Sequence, residues 1–128
     1  MNMMRRRNQA MLESVAEHRR REDAAPRLRD EVARLISLRL KFEAIPTEGR
    51  SQTMSYVRPI VVASAPAHFE IRCMEPRCDG RHDLTRPILQ ALRQAQAVFT
   101  GQSQCDGMVG ELRCDRLLGY TLEAAYRP

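Results

Sequence analysis

An α+β fold is what this sequence predicts: N-terminal helices, followed by a small, mainly antiparallel sheet with one long helix. Three observations lead there. Apolar residues recur at helical spacing near the N-terminus and again over 84–99, they alternate with polar ones over 36–44, and four cysteines stand in two pairs on either side of the second helical segment.

Met4, Met11, Leu12 and Val15 recur among polar and charged residues, so residues 3–23 read as an amphipathic helix that Pro26 ends. Leu28, Val32, Leu35 and Ile36 give a second, short helical stripe. From Ile36 the period changes to two. Ile36, Leu38, Leu40, Phe42 and Ala44 alternate with Ser37, Arg39, Lys41 and Glu43, the pattern of a half-buried strand, with a helix continuing to Ala44 as the competing assignment.

Residues 46–55 are polar, with Gly49 available for a turn, and read as a loop. Residues 56–63 are rich in β-branched side chains, and Pro59 confines that strand to an edge or a bulge. Phe69 and Ile71 alternate with His68, Glu70 and Arg72 in a short strand that delivers Cys73. The long helix is expected over Leu84–Phe99, with Asp83 or Thr85 as its cap, Pro87 in its first turn and Gly101 just beyond its end. Residues 108–113 and 117–126 close the fold as strands, with Gly119 a candidate bulge.

Cysteine spacing carries the clearest chemistry. Cys73-x4-Cys78, a gap of 26 residues, and Cys105-x8-Cys114 have the general layout of a four-thiolate zinc site. Neither pair is the tight C-x2-C, so no named zinc-finger family is assigned. Cys78-Asp79-Gly80 recurs as Cys105-Asp106-Gly107, and Gly two residues after a ligand permits a positive φ that turns backbone N–H groups toward sulfur. The alternatives are unliganded packing cysteines, disulfides and iron–sulfur ligation. A low aromatic content, 5% with no Trp, leaves a core of modest strength that a metal would staple. His82, at Cys78-x3-His82, is either an alternative ligand, a donor to a bound sulfur, or a surface residue before a helix cap.

The basic 1–21 segment is interrupted by Glu13, Ser14 and Glu17, so it lacks the apolar run of a secretory signal, and nowhere do 18 apolar residues follow one another. A cytoplasmic protein is expected, which favours metal over disulfides. Net charge is +5, of which six arginines against two glutamates place +4 in residues 1–21. Two domains of character follow: a basic helical arm over 1–25, and an α+β domain over 26–128 whose zinc-binding part is 68–128.

Arg5, Arg6 and Arg7 lie 14 residues before Arg19, Arg20 and Arg21. On one unbroken helix the two triplets project from similar sides about 21 Å apart, where they would be placed on phosphates; the alternative is a solvated charged helix. No aromatic residues interleave with them, which argues against base stacking. Phosphate-binding, dinucleotide, metalloprotease and serine-hydrolase motifs are absent, and four thiolates would close a zinc site to water, so no enzyme activity is expected. The function expected is that of a structural-zinc accessory protein bound to nucleic acid or a ribonucleoprotein. The alternative is a protein-interaction module, using the Met4, Met11, Val15 stripe on a partner or a second copy.

Overall fold

Alternating burial makes the sheet. The computed structural model describes residues 3–45, 54–75 and 77–128, with side chains from residue 9 onward, and its elements are α1 (Met3–Ala24), α2 (Leu28–Glu31), β1 (Leu35–Ile45), β2 (Ser55–Ile60), β3 (Glu70–Arg72), β4 (Arg81–Asp83), α3 (Thr85–Arg93), β5 (Val98–Gln104), β6 (Met108–Val109), β7 (Leu112–Arg113) and β8 (Leu117–Tyr126). Leu38, Leu40, Phe42 and Ala44 of β1 are buried while the residues between them are exposed, so the period-two assignment holds and the helical alternative falls away.

The four-stranded sheet runs in the order β2-β1-β8-β5, all neighbours antiparallel. Its inner face, with Leu118, Tyr120 and Leu122 from β8, packs on Ile88, Leu89 and Leu92 of α3 and on Leu28, Phe69 and Ile71. The outer face carries Arg39 paired with Glu123 at 3.1 Å, and Lys41 with Glu43. β2 stands at an edge, where Pro59 costs no ladder hydrogen bond. Two hairpins, β3-β4 and β6-β7, complete the fold. Among the described residues no helix is long and apolar enough to cross a membrane.

Several sequence expectations need correction. The long helix over 84–99 is a nine-residue helix, Thr85–Arg93, and Val98 and Phe99 already belong to β5. Gly101 therefore lies within a strand, paired with Tyr120, and does not cap a helix. The helix stops at Ala95, which adopts φ +55°. Its N–H bonds the Leu92 carbonyl at 3.0 Å, and the Gln96 N–H bonds the Ala91 carbonyl at 3.1 Å, the paired bonds of a Schellman ending built without glycine. At the other end neither Asp83 nor Thr85 is the N-cap: that residue is Leu84, which makes no side-chain cap bond, and Asp83 before it accepts the Thr85 N–H through Oδ1.

The second predicted helix shrinks to one turn, because Leu35 enters β1. The β1–β8 register shifts between Leu35 and Ser37, so Ile36 is an extra residue and points outward, 53% exposed, rather than into the core. Residues 108–113 form a hairpin that reverses at Gly110, φ +62°. Gly119 is no bulge; it pairs in register with both Glu43 and Gln102. Most of the predicted 46–55 loop lies outside the described residues.

α1 also differs from its sequence reading. Its half-buried residues are Ser14, His18, Arg21, Glu22 and Ala25 just beyond it, whereas Met11, Leu12 and Val15 are exposed. The helix docks on the body through its polar side.

Candidate metal centre

Two hairpin-like segments present the cysteines. Cys73 follows β3 and Cys78 lies in the β3-β4 connection, while Cys105 follows β5 and Cys114 follows β7. All four are buried, none is in a disulfide, and their sulfurs lie within 4.8 Å of one another. Cys78 Sγ is 3.5 Å from Cys105 Sγ, and Cys73 Sγ is 3.8 Å from Cys114 Sγ. A tetrahedron with metal–sulfur bonds of 2.3 Å has edges of about 3.8 Å, so the four donors have the spacing of a single-ion thiolate site.

The surroundings of each sulfur match a thiolate. Cys78 Sγ accepts the Gly80 N–H at 3.2 Å and Cys105 Sγ accepts the Gly107 N–H at 3.3 Å. The backbone amides of Glu75 and Arg116 act in the same direction on Cys73 and Cys114, favouring the ionised sulfur. Every sulfur is thus approached by the amide two residues later. Such bonds stabilise the anionic form.

A local two-fold relation organises the centre. The Cys73 N–H donates to the Gly80 carbonyl at 3.0 Å, and the Cys114 N–H donates to the Gly107 carbonyl at 2.9 Å. This matches Cys78 with Cys105 and Cys73 with Cys114, the same pairs whose sulfurs are nearest. Glu75 and Arg116, the residues two after the matched outer cysteines, meet across the relation in an ion pair of 3.2 Å. Asp79 Oδ1 ties the halves together by accepting the Met108 N–H at 3.1 Å.

The repeated glycines serve a purpose other than the expected positive φ, which among the described glycines only Gly110 shows. A Cβ on Gly80 would fall 2.5 Å from Cys105 Sγ, and one on Gly107 would fall 2.5 Å from the Gly80 Cα. The two Cys-Asp-Gly loops pack glycine against glycine, and any side chain would part them.

Crowding four thiols without an ion disfavours ionisation of some of them. Burial pushes Cys73 up to about 11 and Cys105 higher still. Burial also acts to raise Cys114, but the Arg116 amide and the neighbouring thiols bring it below the usual thiol value. A divalent cation reverses this balance, because its charge stabilises all four thiolates together.

His82 is not among the four donors. It is buried in β4, with Nδ1 2.9 Å from Ser103 Oγ, so it is neither a surface residue nor a member of the sulfur group. Burial lowers its pKa, with Asp106 acting the other way.

The arginines divide into three groups. The side chains of Arg5, Arg6 and Arg7 lie outside the described residues. Arg19 and Arg20 are exposed on α1, and neither forms an ion pair with a described residue. Arg21 is bound instead: its Nε and Nη2 donate to Glu70 at 2.9 and 2.7 Å.

Glu70 is a residue the sequence reading passed over. It also meets His68 Nε2 at 2.8 Å, His18 Nδ1 at 3.5 Å and Arg81 Nε at 3.5 Å. Burial acts to raise its pKa, but the Arg21 guanidinium and the two imidazoles override it, bringing Glu70 down to about 2. Arg81 also donates to Ser14 Oγ at 2.8 Å. This buried carboxylate anchors α1 to the body. His18, His68 and Glu70 are close enough to share a cation, yet two guanidinium groups already occupy the carboxylate.

No family model, no curated protein and no solved structure matches this chain.

Proposed function

We propose that the chain is a structural-zinc protein of the reducing cytoplasm that acts as a protein-interaction module, with α1 as its contact element. Zinc is the ion that four thiolates at tetrahedral spacing suit best, and filling all four positions leaves none for water, so its role is to hold the loops and not to catalyse.

One observation carries the interaction reading: α1 is fixed to the body by Ser14, His18 and Arg21, while Leu12 and Val15, 70% and 48% exposed, face away. Arg19 follows on the same side at helical spacing, and Arg20 is beside it. A partner with an apolar groove rimmed by carboxylates complements that face. Docking through polar residues leaves the apolar side of the helix available.

A second reading keeps Arg5, Arg6, Arg7, Arg19 and Arg20 as phosphate contacts to nucleic acid or a ribonucleoprotein. The exposure of Arg19 and Arg20 favours it. Arg21, held by Glu70, drops out of the set.

Metal analysis of protein purified under reducing conditions without chelator should give about one zinc per chain. A ratio near zero removes the zinc reading. For the partner, Leu12→Asp and Val15→Asp should abolish capture from the native host, while neutralising Arg19 and Arg20 should mainly slow association. If the arginine variant alone abolishes binding, and the lost partner is RNA or DNA held in a salt-sensitive way, the second reading takes its place.

A further inference from the structure

The sheet's two edges are finished differently. β2 carries Arg58 and Pro59, which discourage another strand from pairing there. β5, at the opposite edge, reads V-F-T-G-Q-S-Q over seven residues, with no charge and no proline.

Hydrogen bonds just outside β5 fix which way its backbone points. The Ala124 N–H donates to the Ala97 carbonyl at 2.8 Å, and the Cys105 N–H donates to the Arg116 carbonyl at 3.0 Å. Odd-numbered residues therefore bond toward β8, and Val98, Thr100, Gln102 and Gln104 direct their N–H and C=O groups away from the sheet. No described residue meets these groups. The same four residues have exposed side chains on the outer sheet face, Val98 at 63%.

We propose that β5 pairs antiparallel with β5 of a second copy of this chain, about a two-fold axis at Gly101, joining the two four-stranded sheets into one. In that register Val98 lies opposite Gln104, and Thr100 opposite Gln102. Each is an outward-bonding residue facing another, so every free N–H and C=O of the edge finds a partner. Gly101 falls on the axis in a non-hydrogen-bonded pair, the kind in which backbones approach most closely. Because the strand is uncharged, self-pairing sets no like charges against each other. A two-fold axis also closes the assembly, so the same edge cannot recruit a third copy. This surface is separate from α1, and its use does not depend on what α1 binds.

The test is sedimentation equilibrium on the zinc-loaded full chain, with hydrogen exchange at single amides. A dimer is expected, with the Val98, Thr100, Gln102 and Gln104 amides protected. A monomer at every concentration up to hundreds of micromolar, with those four amides exchanging freely, overturns the proposal; a strand from another protein would then be the occupant. The register is tested by two double variants on the exposed face. Thr100→Lys with Gln102→Lys sets Lys against Lys twice and should weaken the dimer about thirtyfold. Thr100→Lys with Gln102→Glu sets Lys against Glu and should leave it near wild type. Equal behaviour of the two variants, each with full zinc content, would show that the seam lies elsewhere.

Discussion

Gly107→Ala is the most informative single change at the candidate metal centre. Its Cβ would stand 2.5 Å from the Gly80 Cα, 2.6 Å from the Gly80 nitrogen and 2.8 Å from Cys78 Sγ. Two of those three are backbone atoms, so no rotamer change relieves the contact. Ordinary carbon contacts begin near 3.4 Å. The loops must therefore separate by about 1 Å, a large displacement for sulfurs whose bond length to the metal is fixed. Over-packing of this kind costs up to about 3 kcal/mol, and because binding and folding of the centre are linked, that cost appears as zinc affinity weakened about a hundredfold.

Competition against a chromophoric chelator measures this directly. Gly80→Ala should behave similarly, since its Cβ meets Cys105 Sγ at 2.5 Å and the Gly107 Cα at 2.9 Å. Once the loops are apart both methyl groups are accommodated, so the double variant should cost less than the sum of the singles. Gly110→Ala is the control: its φ is +62° but nothing lies within 4 Å, so it should cost about 1 kcal/mol of stability and leave zinc affinity unchanged. Zinc affinities of both Gly80→Ala and Gly107→Ala within about threefold of wild type would refute the glycine-on-glycine account.

Three further outcomes are expected. Ala95→Gly should stabilise the protein by about 0.5–1 kcal/mol in denaturant melts, since φ +55° strains alanine and suits glycine. Glu70→Gln should lower stability and raise amide exchange in α1. Because the folded carboxyl titrates at about 2, its contribution is complete above the usual carboxylate range and drains as pH falls toward that value. The difference between wild type and Glu70→Gln should thus shrink as pH falls below about 4, and a difference that grows there would reverse the assignment. His82→Ala should keep the full zinc content while costing about 1–3 kcal/mol from the lost Ser103 bond and the space left behind, as read by metal analysis and thermal melts.

Much of the sheet was legible because alternation is a local signal. β1 announces itself in Leu38, Leu40, Phe42 and Ala44, and Pro59 marks an edge before any neighbour is known. Ile36 misled because a bulge inverts the alternation behind it. The end of α3 misled because Ala95 carries a conformation that normally advertises itself as glycine. Val98 and Phe99, read onward at helical spacing, fell on the wrong side of that unmarked stop.

The functional parts follow the same division between local and distant information. Four cysteines and a repeated tripeptide were visible as a pattern, and the pattern does bring the sulfurs together. The role of the glycines was not visible, because Gly80 and Gly107 contact each other across 27 residues of chain and are selected by space, not by φ. The docked side of α1 was hidden for the same reason. Its anchor, Glu70, is 49 residues from Arg21 and occupies a position that strand alternation assigns to solvent. Once α1 covers that position, Glu70 is buried beside two guanidinium groups and two imidazoles, and polar residues become the adhesive. Met11, Leu12 and Val15, which periodicity reads as the apolar stripe of an amphipathic helix, are then exposed. An apolar helix face held outward by a charged anchor is the observation on which the proposed interaction reading of α1 rests.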